Sequence, residues 1–190
     1  MYLRFLAPNF LTACNFCLGL LSLWLCLKGQ FTQVWLGVLA CTLFDGLDGW
    51  IARRLAAEST FGRFFDSCAD FVSFGCVPAF AFWLRHPSTV GWSAAVALIY
   101  LSCAMLRLIR FHRLCLNEST SMRRSFVGLP TTASSGLYAT VCLLFVLIPA
   151  GWEFGLFLIL AALMVSNLRF PSLNGLVARM ALVRTGYSRF

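Results

Sequence analysis

Apolar residues run along this chain in long stretches, broken by short clusters of turn-forming residues and arginine. Six such stretches lie at approximately 12–28, 31–52, 64–84, 90–109, 131–149 and 152–168. Each approaches the roughly 20 apolar residues that an α-helix needs to cross a bilayer. Breaks fall at Lys28-Gly29-Gln30, at His86-Pro87-Ser88 and at Pro149-Ala150-Gly151, where glycine and proline interrupt a helix. Pro8-Asn9 predicts a boundary between a short interfacial segment and the first crossing helix. The pattern therefore predicts an all-α integral membrane protein with six transmembrane helices. No internal repeat or low-complexity linker divides the sequence, so residues 1–190 are expected to form a single membrane domain. No small-x-small site follows the first apolar run before Lys28, so a cleaved signal is not expected.

Composition narrows this further. Hydrophobic residues make up 60% and charged residues 12% of the 190 positions, and the mean hydropathy is +0.82. Too little polar surface remains to cover one soluble core, and a disordered chain would be poor in aromatics and rich in charge. Six spans leave no room for a separate soluble domain. The net charge of +8 gains meaning from its distribution. With six spans, both termini share a side with the second–third and fourth–fifth connections. That side collects 13 of the basic residues, and the other holds only Lys28 and Arg85. The positive-inside rule then puts both termini in the cytoplasm and accounts for the basic balance without nucleic acid. The nine cysteines have no regular spacing and form no disulfide framework. Cys14-Asn-Phe-Cys17 lacks the second ligand pair that zinc requires, which leaves the cysteines as small packing residues.

The acids carry the chemistry. Four of the seven are aspartates, and all four lie between positions 45 and 70: Asp45, Asp48, Asp66 and Asp70. A carboxylate near the centre of a membrane segment costs ~2.5–3.5 kcal/mol or more, so four in one region require cations, metal or water. Asp45 and Asp48 are spaced i, i+3 and share a helix face, as do Asp66 and Asp70 at i, i+4. A short connection around Glu58-Ser59-Thr60 makes the two helices antiparallel neighbours, which brings the pairs to similar depth on the cytoplasmic side. Four hard oxygen donors without His or Cys suit Mg²⁺, Mn²⁺ or Ca²⁺. Their charge suffices for two divalent ions, an arrangement that clamps phosphoryl oxygens during in-line displacement. Gly46, Gly49 and Gly62 among them allow close approach of a ligand or a backbone. Two other readings fit the residues alone: a salt-bridge network with Arg53, Arg54 and Arg63 around small-residue packing, and a cation- or proton-coupled transport pathway.

The spacing from Asp45 to Asp70 resembles a known signature. Asp45-Gly-Leu-Asp48-Gly49-Trp-Ile-Ala52-Arg53, eight further residues, then Gly62-Arg-Phe-Phe-Asp66-Ser-Cys-Ala-Asp70 meets every fixed position of D-x-x-D-G-x-x-A-R-x(8)-G-x-x-x-D-x-x-x-D. That is the pattern of the CDP-alcohol phosphotransferases, whose fold has six transmembrane helices around a cytosol-facing site. Flanking motifs extend the resemblance toward the phosphatidylserine synthases. They are Pro8-Asn9-Phe-Leu-Thr12-Ala-Cys-Asn15 with Gly19, Ser73-Phe74-Gly75-Cys-Val-Pro78-Ala79, Arg107-Leu-Ile-Arg110-Phe111, Phe126-Val-Gly128-Leu129-Pro130 and Val165-Ser166-Asn-Leu-Arg169-Phe-Pro171-Ser172. One departure is His112, where that subfamily usually has Asn after Arg-Phe.

The resemblance implies transfer of a phosphatidyl group from CDP-diacylglycerol to a small alcohol, serine favoured over glycerol phosphate or inositol phosphate, with release of CMP. It implies that Asp45, Asp48, Asp66 and Asp70 hold two Mg²⁺ or Mn²⁺ ions and that Asp70 is the general base. Asn9, Thr12, Asp48, Gly49, Ala52, Arg53 and Gly62 correspond to the nucleotide pocket. For Asn9 and Thr12, helix capping and backbone bonding is the competing role. Arg107 and Arg110, i and i+3 on the fourth helix, suit bidentate capture of an acceptor carboxylate or a lipid phosphate, or anchoring at the positive-inside face. Arg123 and Arg124 suit anionic head groups, and the stretch from Asn174 with Arg179, Arg184 and Arg189 suits the membrane surface. A homodimer in a bacterial or archaeal cytoplasmic membrane, its site facing the cytoplasm, completes the expectation.

Overall fold

The structure, a computed structural model, describes residues 3–55, 60–117, 125–144, 150–166 and 169–171. Helix α1 spans Leu3–Leu27 and α2 spans Phe31–Leu55. They are joined by a tight turn in which Gly29 takes φ 70°. The Gly29 N–H reaches Cys26 O at 3.0 Å and the Gln30 N–H reaches Leu25 O at 3.1 Å. These two bonds satisfy carbonyls that the helix end would otherwise orphan, and glycine is the residue that permits the left-handed turn. The boundary expected at Pro8-Asn9 is not a break, since α1 runs through it. Pro8 lacks the N–H that would bond Arg4 O, and α1 carries it in its second turn.

The third apolar stretch is one rod in three parts: α3, Thr60–Asp70, a π-helical turn over Phe71–Cys76, and α4, Val77–Arg85. Pro78 explains the widened turn. It has no N–H to give Phe74 O, and its ring would crowd that carbonyl in a regular helix. The turn opens, Val77 N–H bonds back to Val72 O, and the Tyr100 hydroxyl donates to Phe74 O at 3.2 Å. After a short 3₁₀ turn at Pro87–Thr89, α5 covers Val90–Asn117. Its 28 residues make it ~42 Å long at 1.5 Å per residue, so it outruns the span of 90–109 that hydropathy predicts. Helices α6, Thr131–Leu144, and α7, Ala150–Val165, complete the set; the remainder of the fifth predicted stretch lies outside the described residues.

Among the described residues, four segments are long and apolar enough to cross a bilayer: Asn9–Leu27, Phe31–Ile51, Gly62–Arg85 and Pro87–Arg110. Trp152–Val165 is a shorter apolar helix. The surface fits a lipid medium. Trp92 and Trp152 are each 77% exposed and Leu43 is 69% exposed, while Thr12, Asn15, Ser73, Ser134 and Glu153 are buried. The centre is aromatic: Phe157 stacks on Tyr100 at 4.2 Å and on Phe82 at 4.4 Å between ring centroids. This is an all-helical membrane protein with one addition. Strand β1, Ser125–Val127, pairs antiparallel with β2, Arg169–Pro171, so two of the flanking sequence motifs form one ribbon. Gly128 beside it takes φ +86°, and a Cβ there would stand 2.6 Å from Met164 O. Glycine is required on both counts.

Candidate active site

The acids converge as their spacing predicts. One oxygen each from Asp45, Asp48 and Asp66 lies within 4.8 Å of the others, the first two from α2 and the third from α3. Asp48 and Asp70 are buried, and Asp66 is half-buried. Asp70 stands one turn beyond Asp66, within electrostatic reach of Asp45, Asp66 and Arg107. Like charges do not gather in a membrane protein without compensation. The donor set is also incomplete as it stands. Among the described residues, Asp66 Oδ1 and Asp70 Oδ1 are buried with no hydrogen-bond partner. Orphaned buried carboxylate oxygens in an all-oxygen cluster are the chemistry that a divalent cation completes, so the cluster has the donor set to hold a metal ion.

Neighbouring helices hold the acids in place. The Thr12 hydroxyl of α1 donates to Asp48 Oδ2 at 3.0 Å, so Thr12 orients a carboxylate. Asn9 lies one turn earlier on α1 and is half-buried. At α5, Arg107 Nη1 donates to Thr131 Oγ1 of α6 at 2.9 Å. That bond and the proximity to Asp70 turn Arg107 inward rather than toward solvent. Arg110 is half-buried one turn further along. Gly49 and Gly62 are half-buried beside the acids, and Gly46 has open space where a Cβ would sit. Ala52 and Arg53 belong to the last turn of α2, but their side chains lie outside the described set, as do those of Arg54, Arg123, Arg124, Arg179, Arg184 and Arg189.

Three features were given no role by the sequence reading. Asn15 on α1 is fully buried, and its carbonyl accepts from Ser73 Oγ at 3.2 Å and from Cys41 Sγ at 3.6 Å. Gly19, one turn on, lets α1 press against the π-helical turn: a Cβ there would fall 2.4 Å from Ser73 Oγ. The third feature is a second polar cluster around Glu153, at the junction of α4, α6 and α7. Tyr138 donates to Glu153 Oε1 at 2.6 Å, Arg85 Nη1 lies 3.6 Å from the same oxygen, and His86 Nε2 lies 3.4 Å from Oε2. The signal for it was a lone acid at the start of an apolar helix, with Arg85 and His86 at another helix end.

The fold and acid cluster define a membrane-helical transferase site. The family model described as CDP-alcohol phosphatidyltransferase matches residues 5–170, and the chain belongs to that family, which works in phospholipid synthesis. It is 33% identical over 179 residues to a CDP-diacylglycerol–serine O-phosphatidyltransferase of Helicobacter pylori, an alignment covering 88% of this chain and 73% of the relative. A protein of the same name from Mycobacterium leprae is 38% identical over 150 residues, covering 76% of this chain and 49% of the relative. The archaetidylserine synthase of Methanothermobacter thermautotrophicus is 30% identical over 185 residues, covering 92% of this chain and 73% of the relative.

Proposed function

We propose that this chain transfers the phosphatidyl group of CDP-diacylglycerol to the hydroxyl of L-serine, releasing CMP, with two divalent cations, Mg²⁺ or Mn²⁺. The carrying observation is the convergence of Asp45, Asp48 and Asp66 within 4.8 Å, with Asp70 alongside. The cations, when bound, neutralise the diphosphate and stabilise departing CMP. Asp45, Asp48 and Asp66 hold that charge in place, and Thr12 fixes the rotamer of Asp48 through its 3.0 Å bond. Asp70 takes the proton from the serine hydroxyl. The serine oxygen then bonds to the phosphorus bearing diacylglycerol as the bond from that phosphorus to the bridging oxygen breaks, and CMP leaves with that oxygen. Arg107, held by Thr131, gives the acceptor end of the site a fixed positive charge for the serine carboxylate, and Arg110 adds a second on the same helix face.

Serine is favoured because relatives named for two different lipid classes, phosphatidyl and archaetidyl, share serine in their names. The nucleotide pocket is assigned to Asn9, Thr12, Asp48, Gly49, Ala52, Arg53 and Gly62. The further reading is six spans in a single domain, both termini and the site on the cytoplasmic side of a cell membrane, and a homodimer. The 13-to-2 partition of basic residues supports the orientation. The test is an acceptor panel of serine, glycerol phosphate and inositol phosphate given to the purified protein with CDP-diacylglycerol in detergent micelles, the lipid product read by mass spectrometry. A phosphatidylserine product is expected. A different product reassigns the acceptor. No product with any acceptor removes the transferase reading and returns the acids to transport, since micelles have no compartments to transport between.

A further inference from the structure

Among the described residues, Asn15 is the one wholly buried amide, and the reaction above gives it no task. It is 0% exposed, and both Oδ1 and Nδ2 lack a hydrogen-bond partner among the described residues. An unsatisfied buried polar group costs ~1–3 kcal/mol, and here one side chain has two such atoms. Its level in the bundle is set by neighbours. Thr12 meets Asp48 and Ser22 meets Gly37 along the antiparallel α1–α2 pair, so Asn15 stands opposite Asp45. Its carbonyl touches Ser73, one turn past Asp70 on the third rod. A helical side chain leans toward the N-terminus of its own helix, which for Asn15 is the direction of Thr12 and the carboxylates. On the third rod, one turn before Ser73, Asp70 Oδ1 is likewise buried and unpartnered.

Resting on the cation-assisted reading above, we propose that Asn15 is a positioning residue that forms the floor of the cation site. A water bound to a cation held by these aspartates would donate its two hydrogens to Asn15 Oδ1 and Asp70 Oδ1. Hard cations such as Mg²⁺ keep part of their water shell in protein sites, and two unpartnered acceptors at one depth are a seat for one such water. The amide suits this place because it accepts a hydrogen bond without adding a fifth negative charge. Outer-shell partners of this kind contribute about 10–100-fold to metal affinity.

The test exploits the unpartnered amide. Replacing an unsatisfied buried polar group by an apolar group of similar shape is neutral or stabilising. The purified parent, Asn15→Leu and Asn15→Ala are titrated with Mn²⁺ alone and followed by electron paramagnetic resonance, with melting measured in EDTA. We expect Asn15→Leu to melt at or above the parent temperature in EDTA while Mn²⁺ affinity falls about 10–100-fold. Asn15→Ala, which leaves room for a replacement water, should lose less in the same direction and serves if the leucine variant does not fold. Parent-like Mn²⁺ affinity in a folded variant overturns the proposal. A parent that binds no Mn²⁺ overturns the metal reading of the site and this proposal with it, so the two failures are distinguishable.

Discussion

Two polar clusters are buried in this bundle, roughly 20 Å apart along the third rod at 1.5 Å per residue, and they are built on opposite principles. Around Glu153 the charges match. One acid is met by Arg85, His86 and the Tyr138 hydroxyl, and the group joins the ends of α4 and α7 to α6. Around Asp70 four acids gather, two of their buried oxygens have no partner, and the nearby cation Arg107 is tied to Thr131. The first cluster is satisfied within the protein and contributes cohesion. The second is left for something the protein does not supply. An unsatisfied site is costly in a low-dielectric interior, and its retention is the physical signature of function.

This contrast predicts opposite outcomes for the same kind of change. The largest effect is expected from Asp70→Asn, which removes the base and should lower turnover by about 10²–10⁴-fold. Melting in EDTA should stay at or above that of the parent, because a repelling charge is gone. Turnover close to the parent rate would take the base role from Asp70. Next is Glu153→Ala, which strands Arg85 and His86. It should cost about 3–5 kcal/mol of stability in a denaturation midpoint, while turnover per folded molecule is unchanged. A selective loss of turnover instead would mean that the outer cluster also serves the reaction.

Smaller changes sharpen the comparison. Thr12→Val removes the donor that orients Asp48 and should weaken Mn²⁺ binding about 10–100-fold by titration, with little change in melting. Unchanged affinity would reduce Thr12 to packing. The smallest effect is expected from Tyr138→Phe, which deletes one bond to a charged group. It should cost about 1.5 kcal/mol, near the low end for such bonds, again with turnover intact.

The two clusters also differ in how far the sequence discloses them. The aspartates sit at i, i+3 and i, i+4 on helices joined by a short connection, so helical periodicity alone brings them together. Glu153 meets partners from two other helices, and no spacing rule links it to Arg85 and His86. Asn15 stood inside a flanking motif, but its burial and missing partners depend on how α1 packs against α2 and the third rod. The π-helical turn was written in Pro78 and could have been suspected there. The Tyr100 hydroxyl that answers the freed Phe74 carbonyl comes from α5, which is long-range information. The β1–β2 ribbon likewise joins positions far apart in the chain, and its only local trace is Gly128 beside Pro130.

The most direct test of the account is CMP release from CDP-diacylglycerol and serine by the purified protein, measured with Mg²⁺ or Mn²⁺ and again in excess EDTA. The account predicts release that requires the divalent ion and returns when it is restored. Equal release in EDTA would contradict it, because four aspartates gathered at this depth would then have no cation to gather around.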